Sequence, residues 1–205
     1  GLSEAHQVLM QNSLRDRVVL QTDGLLRTGR DIAYATLLGA EEWGVATGAL
    51  IAMGCIMMRK CHLNTCPVGV ATQDPELRKL FTGDPQHVVN FFSFLAEDLR
   101  RHMARLGFRT VDEMVGRMDK IAPRRDVKHF KASQLDLSRL LHFMPATERT
   151  NSYCCVPQDH GLDKALDNQL IRLAAPALER EEPVRIEVPI TNGNRTVGTL
   201  LGHAL

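Results

Sequence analysis

Three cysteines, Cys55, Cys61 and Cys66, stand in a C-x5-C-x4-C pattern closed by Pro67, inside the run CIMMRKCHLNTCP at 55–67. Thiolates are soft ligands that select zinc, copper(I) or iron–sulfur clusters. Structural zinc sites use tight C-x2–4-C pairs and four ligands. This loop offers three sulfurs and no close pair, and His62 adjoins Cys61, so those two reach one ion only in awkward geometry. Spacers of four and five residues let the backbone curl around a bulky object. A cysteine followed by proline recurs in ferredoxin cluster loops. Three thiolates without a fourth suit a three-iron cluster, which has one iron for each. The cluster therefore ranks ahead of a zinc site, and both rank ahead of reduced, semi-buried thiols or one disulfide with a spare.

The elements before this loop read as α/β. Residues 3–14 predict a helix capped by Ser3, with Leu9, Met10 and Leu14 as its apolar stripe. Val18-Val19-Leu20 is a continuous apolar run, as in a strand of a parallel sheet buried on both faces. Asp23-Gly24 breaks it, Thr28 starts a helix to about Leu38, and Gly39 stops that helix. Trp43–Thr47 predicts a second strand, and Gly48 opens a helix ending at Gly54. The order α, β, α, β, α is that of a βα barrel or an open α/β sheet. In such folds the loops after the strands carry the chemistry. Here they are residues 22–29 and 46–48, both with glycines where a helix begins, so backbone N–H groups can face an anion. Glycines at strand ends are more often plain turns, and it is the adjoining cysteine loop that favours the site.

Downstream, Asp74-Pro75 and Asp84-Pro85 are helix starts. The second predicts a helix to Leu106, with Val88, Phe91, Phe92, Leu95 and Leu99 as its core face and Gly107 as its stop. Thr110 and Glu113 predict one more short helix. Residues 123–157 are polar and irregular and read as a surface linker, with His129, Arg139 and His142 solvated and Cys154-Cys155 ordinary thiols. A helix is expected over 162–178, then strands over Val184–Ile190 and Arg195–Leu201 around an Asn192-Gly193 turn. Such a pair of strands opens sandwiches and β-helices alike.

The 205 residues carry a net charge of +1 with both signs interspersed, so no basic stripe points to nucleic acid. Five cysteines, an odd number, fit a reducing compartment. Residues 1–17 are polar and form no secretion signal. The longest apolar stretch, Val45–Met58, is too short to span a bilayer. The chain opens on Gly1 without Met and stops at Leu205 in mid-element, so it is read as a piece of a longer protein.

The whole chain resembles the large subunit of glutamate synthase. The resemblance rests on GLSEAHQ at 1–7, QTDG at 21–24, TGRD at 28–31, LGAEE at 38–42, DHGLD at 159–163 and NRTVG at 194–198. Above all it rests on GCIMMRKCHLNTCPVGVATQ at 54–73, a run highly specific to that family. It implies an enzyme that makes two glutamates from glutamine and 2-oxoglutarate. In it an amidotransferase domain releases ammonia, an FMN-bearing (β/α)8 barrel reduces 2-iminoglutarate, and a [3Fe–4S] cluster passes electrons to the flavin.

By that resemblance, residues 1–122 are the last strands and helices of the barrel, with the iron–sulfur loop at 54–73. Residues 123–157 are a linker, and 158–205 begin a right-handed β-helix domain. Cys55, Cys61 and Cys66 are the implied cluster ligands. Asp23, Gly24, Thr28, Gly29, Ala46, Thr47 and Gly48 would hold the FMN phosphate. Arg59 and Lys60 are expected to raise the cluster potential by their charge, against the plainer view that they face water; His6 and Gln7 are as readily surface residues as flavin contacts. The implied partners are glutamine, 2-oxoglutarate and an electron donor, either ferredoxin or a pyridine-nucleotide-dependent subunit. No nucleic acid or membrane is expected, and the setting is the cytoplasm or a plastid. The rival is a zinc-stabilised binding module on an α/β scaffold. One departure stands out: the family usually has two glycines after the aspartate, and here the second is Leu25. If that position needs positive φ, a leucine strains the loop by about 1–3 kcal/mol or moves it.

Overall fold

A computed structural model describes residues 1–124 and 126–204. Arg125, inside the expected linker, and Leu205, at the end of the expected second domain, lie outside the described residues. The contacts group into two compact units, Gly1–Val156 and Pro157–Leu205.

In the first unit, helix α1 (Leu2–Gln11) leads to strand β1 (Gln21–Thr22), helix α2 (Gly29–Leu37), strand β2 (Glu42–Trp43) and helix α3 (Thr47–Ala52). The strands pair in parallel, Gln21 with Glu42 and Thr22 with Trp43, so β1-α2-β2 is a crossover unit. Both strands are shorter than the sequence predicts. Val18–Leu20 are not in the ladder, and Val19 is 48% exposed. The apolar run would be buried only if both faces of the sheet were covered, and Val19 stays open to solvent. Ser3 is no cap either. It is buried inside α1, and its hydroxyl donates to the Leu140 carbonyl.

Helices α4 (Pro75–Arg78) and α5 (Pro85–Leu106) start at the predicted aspartates, whose carboxylates accept the N–H groups of Glu76 and Leu77, and of Gln86. Leu95, Leu99 and Met103 of α5 pack on Ile32, Ala33 and Leu37 of α2, with Phe108 and Met114 completing the core. Gly29 lets the backbones meet, since a Cβ there would lie 2.1 Å from Leu99 N. The Thr110–Glu113 pair forms its reciprocal hydrogen bonds, at 3.4 and 3.3 Å, but nucleates only a turn, because Gly116 follows at φ +72°. Residues 139–156 are stitched to the front of the unit. Gln7 Nε2 donates to Arg139 O, Cys154 N to Glu41 Oε2, and the Cys155 and Val156 amides to Asp16 O.

Beneath this lies a buried polar cluster. Arg15 has no exposed surface. It donates to His6 Nδ1 at 3.1 Å, Val18 O at 2.8 Å and Gly39 O at 3.0 Å, and it pairs with Glu41. His6 is 1% exposed and sits between Gly39 and Gly116, where any Cβ would strike the ring. It is thus a core residue and not a surface one. Burial, and then the charge of Arg15, push the His6 imidazole down to about 4.

The second unit holds α6 (Leu166–Leu173), α7 (Ala175–Arg180) and α8 (Thr199–His203). Pro176, which cannot complete the ladder, splits the expected single helix at Ala174. The strand expected at 195–201 is replaced by α8, because Asp167 Oδ1 accepts the Leu200 and Leu201 amides of its first turn. Val184–Ile190 pairs with no strand among the described residues. This unit is therefore helical, and the chain as a whole is a mixed α/β structure with few strands.

Two outcomes follow. Between pH 6.5 and about 4 the unfolded chain takes up a proton that folded His6 refuses. The contribution of neutral His6 is complete above 6.5 and is lost as the pH falls through that window, by up to about 3 kcal/mol. Urea midpoints across the window should fall less steeply for His6→Gln. Gly29→Ala should destabilise by roughly 3 kcal/mol, because its Cβ meets backbone that cannot rotate aside, and should lower the urea midpoint at unchanged slope.

Candidate functional site

The loops after β1 and β2 face each other at the carboxyl ends of the strands, where α/β folds bind ligands. Between them lies a cavity of about 410 Å³ lined by Asp23, Gly24, Leu25, Leu26, Gly44, Val45, Ala46 and Thr47. Four of the seven expected flavin contacts, Asp23, Gly24, Ala46 and Thr47, are in its wall. The N–H groups of Gly24, Leu25, Leu26, Val45 and Ala46 have no protein acceptor among the described residues. Amides without a protein acceptor in residues that line a cavity can serve an oxyanion such as a phosphate.

The other three expected contacts are placed differently. Thr28 and Gly29 begin α2, and their amides are already bound, Thr28 N to Asp31 Oδ2 at 2.9 Å and Gly29 N to Asp98 Oδ2 at 2.8 Å. Two carboxylates thus close the end of α2, where the sequence suggested a free anion site. Gly48 is buried under Phe91, whose ring atom Cζ would lie 2.5 Å from an added Cβ. These residues position the cavity's walls instead of lining it. Asp98, 69 positions from the Gly29 amide it binds, had no sequence signal.

Leu25 occupies the left-handed region at φ +57°, directly after Gly24 at φ +103°. The loop keeps the backbone path that the sequence suggested would need glycine. Its side chain is 63% exposed at the edge of the cavity.

The cysteine loop leaves α3 at Gly54. Cys55, Cys61 and Cys66 line one small pocket with Arg59, Lys60 and Pro67. Cys66 is buried, Cys55 half-buried and Cys61 exposed, and none is in a disulfide. Among the described residues no three His, Cys, Asp or Glu side chains are gathered closely enough for a single metal ion. Cys66 is the most prepared of the three. Backbone N–H groups of the residues that follow, Ala71 first and then Val68, hold its thiol below the usual range. Amides converging on a sulfur favour the thiolate, the form that binds metal. Arg59 and Lys60 are exposed at the rim. Met57, Arg59 and Asn64 all have left-handed backbone, at φ +57°, +59° and +57°. Such strain gathers at functional loops.

The family description "Conserved region in glutamate synthase" matches residues 1–109. Along 100% of its length the chain is 57% identical to glutamate synthase (NADH) of Schizosaccharomyces pombe and 55% identical to the glutamate synthase (NADPH) large chain of Bacillus subtilis. It is 44% identical, again over 100% of its length, to ferredoxin-dependent glutamate synthase 2 of a Synechocystis strain. It spans only 10–13% of those proteins.

Leu25→Gly should remove left-handed strain of about 1–2 kcal/mol, partly offset by the freer unfolded chain, for a net gain of about 0.5–1 kcal/mol. Leu25→Ala keeps the Cβ and should change the urea midpoint little.

Proposed function

This chain belongs to the glutamate synthase family, and we propose that it is the stretch where the flavin and iron–sulfur sites of such an enzyme adjoin. One observation carries the reading. The three cysteines share a pocket on the loop that directly follows the second of two βα units, and those units enclose an amide-walled cavity. Residues 1–122 are then the end of an FMN-binding (β/α)8 barrel, 123–157 a connection and 158–205 the entry to a right-handed β-helix domain. The apolar surface left open on α5, with Phe92 at 42% and Phe94 at 71% exposure, supports the first part, because the rest of a barrel would cover it.

Cys55, Cys61 and Cys66 would hold a three-iron cluster, one thiolate for each iron. Asp23, Gly24, Ala46 and Thr47 line the site of the FMN phosphate, and Thr28, Gly29 and Gly48 hold the elements that shape it. Bound there, the two groups would supply the electron transfer and hydride delivery that turn 2-oxoglutarate and glutamine-derived ammonia into glutamate. The chain's own part is to bind, orient and screen. The amides around Cys66 stabilise negative charge on sulfur, and Arg59 and Lys60 add positive charge at the rim, both of which favour the reduced cluster. The donor is ferredoxin or a pyridine-nucleotide-linked subunit, and the setting is the cytoplasm or a plastid. No described helix is long and apolar enough to cross a membrane.

The test is an iron, sulfide and zinc assay on the anaerobically purified longer protein, with an electron paramagnetic resonance spectrum of its oxidised form. Iron and sulfide with the signal of an odd-electron three-iron cluster, lost in Cys61→Ser, are expected. Zinc in place of iron, or no metal in a folded preparation, would overturn the reading.

A further inference from the structure

Residues 64–73 form a loop closed at its neck by one side chain. Asn64 Oδ1 accepts the Gln73 amide at 2.6 Å, and the Thr72 hydroxyl is shared between Asn64 O and Oδ1 at 2.9 Å each. The same hydroxyl accepts the Asp74 amide at 3.1 Å, and Asp74 caps α4 through the amides of Glu76 and Leu77. Helix α4 supports the loop from behind, where a Cβ on Gly69 would lie 2.5 Å from Leu77 O. The Gly69 amide donates to Cys66 O at 3.2 Å, which ties the residue backed by α4 to Cys66 itself. An unbroken set of contacts thus runs from Asn64 through Thr72, Asp74 and α4 to the cradle of Cys66.

On its other side Asn64 ends the short turn Cys61–Leu63, its amide bonded to Cys61 O at 3.2 Å. Its left-handed backbone, φ +57° and ψ +25°, turns the chain between Cys61 and Cys66. Asparagine tolerates this region better than most residues. Glycine tolerates it too but has no side-chain acceptor, so the closed neck needs both properties of asparagine at once.

We propose that Asn64 is a positioning residue for the iron–sulfur site, fixing Cys61 relative to Cys66 by closing the loop that cradles Cys66. This rests on the cluster reading above. Asn64 touches no sulfur in the structure and acts through the loop.

Three variants of the longer protein separate backbone freedom from neck closure. Asn64→Gly keeps the turn and loses the acceptor, Asn64→Ala loses both, and Asn64→Asp keeps both and adds a negative charge. The readouts are iron per chain, the rate of iron loss to a chelator, the resonance spectrum and the cluster midpoint potential. Gly and Ala are each expected to speed iron loss at least tenfold and to broaden the spectrum. Asp should keep the wild-type iron content and spectral shape at a lower midpoint potential. A glycine variant that keeps iron at the wild-type rate would overturn the inference while leaving the cluster reading intact. Wild-type protein without iron would overturn both, and so identifies which has failed. Thermal unfolding of the chelator-treated proteins guards against a folding defect. If Gly and Ala unfold well before wild type without their iron, the residue is structural and the proposal falls.

Discussion

The Arg15 guanidinium is wholly buried and divides its donors among His6, the carbonyls of Val18 and Gly39, and the carboxylate of Glu41. Those four partners belong to α1, the approach to β1, the end of α2 and the approach to β2. One side chain therefore sets where both strands begin, and with a two-residue ladder there is little else to hold their register. Glu41 passes the tie outward to the Cys154 amide, which pins residues 150–156 over the same spot. A buried ion pair adds little net stability compared with apolar packing, but leaving one charge without the other costs about 3–5 kcal/mol. Its value here lies in specificity, because a strand displaced by one residue would leave the guanidinium with empty donors. The two site loops start at the far ends of those strands, so their separation depends on this register.

The helices were legible because their signals are local. The Asp-Pro starts and the Gly107 stop appear as read, and of the expected α5 stripe Leu95 and Leu99 are buried, while Phe92 is exposed and Met103, one turn further on, takes the core place. The failures share a different cause. Val18–Leu20 and Val184–Ile190 have the composition of strands, but a strand exists only with a partner, and composition does not reveal whether one is present. Thr199–His203 is helical because a carboxylate thirty-three positions away binds its first turn. The cysteine loop stood out by its spacing, and its three cysteines line one pocket. What stayed hidden was the closure by Asn64 and the capping of Gly29 by Asp98, since one hydrogen bond between distant or ordinary residues leaves no periodic trace.

Backbone strain is distributed unevenly. Leu25, Met57, Arg59 and Asn64 account for four of the seven non-glycine residues with positive φ among the described residues; Leu25 lies in the loop after β1 and the other three in the cysteine loop. Together they cost on the order of several kcal/mol. Such conformations persist only where the surroundings over-determine them. At Asn64 the surroundings are Thr72 and Gln73, and at Met57 its own amide donates to Cys55 Sγ at 3.4 Å. No comparable restraint holds Leu25 or Arg59, and both side chains are exposed.

The closing of α2 by Asp31 and Asp98 bears on how an anion is held. A helix N-terminus attracts phosphate through unpaired amides and a partial positive charge. Here the Arg27 and Thr28 amides are bonded to Asp31, and the Gly29 amide to Asp98, a residue of the helix on which α2 packs. Those carboxylates satisfy the amides and cancel the field, so a second anion would meet repulsion there. The unengaged amides lie one loop away, at Gly24–Leu26 and Val45–Ala46 around the cavity. Asp98 thus docks α2 on α5 at the point where Gly29 allows backbone contact, and it places a negative charge at that helix end.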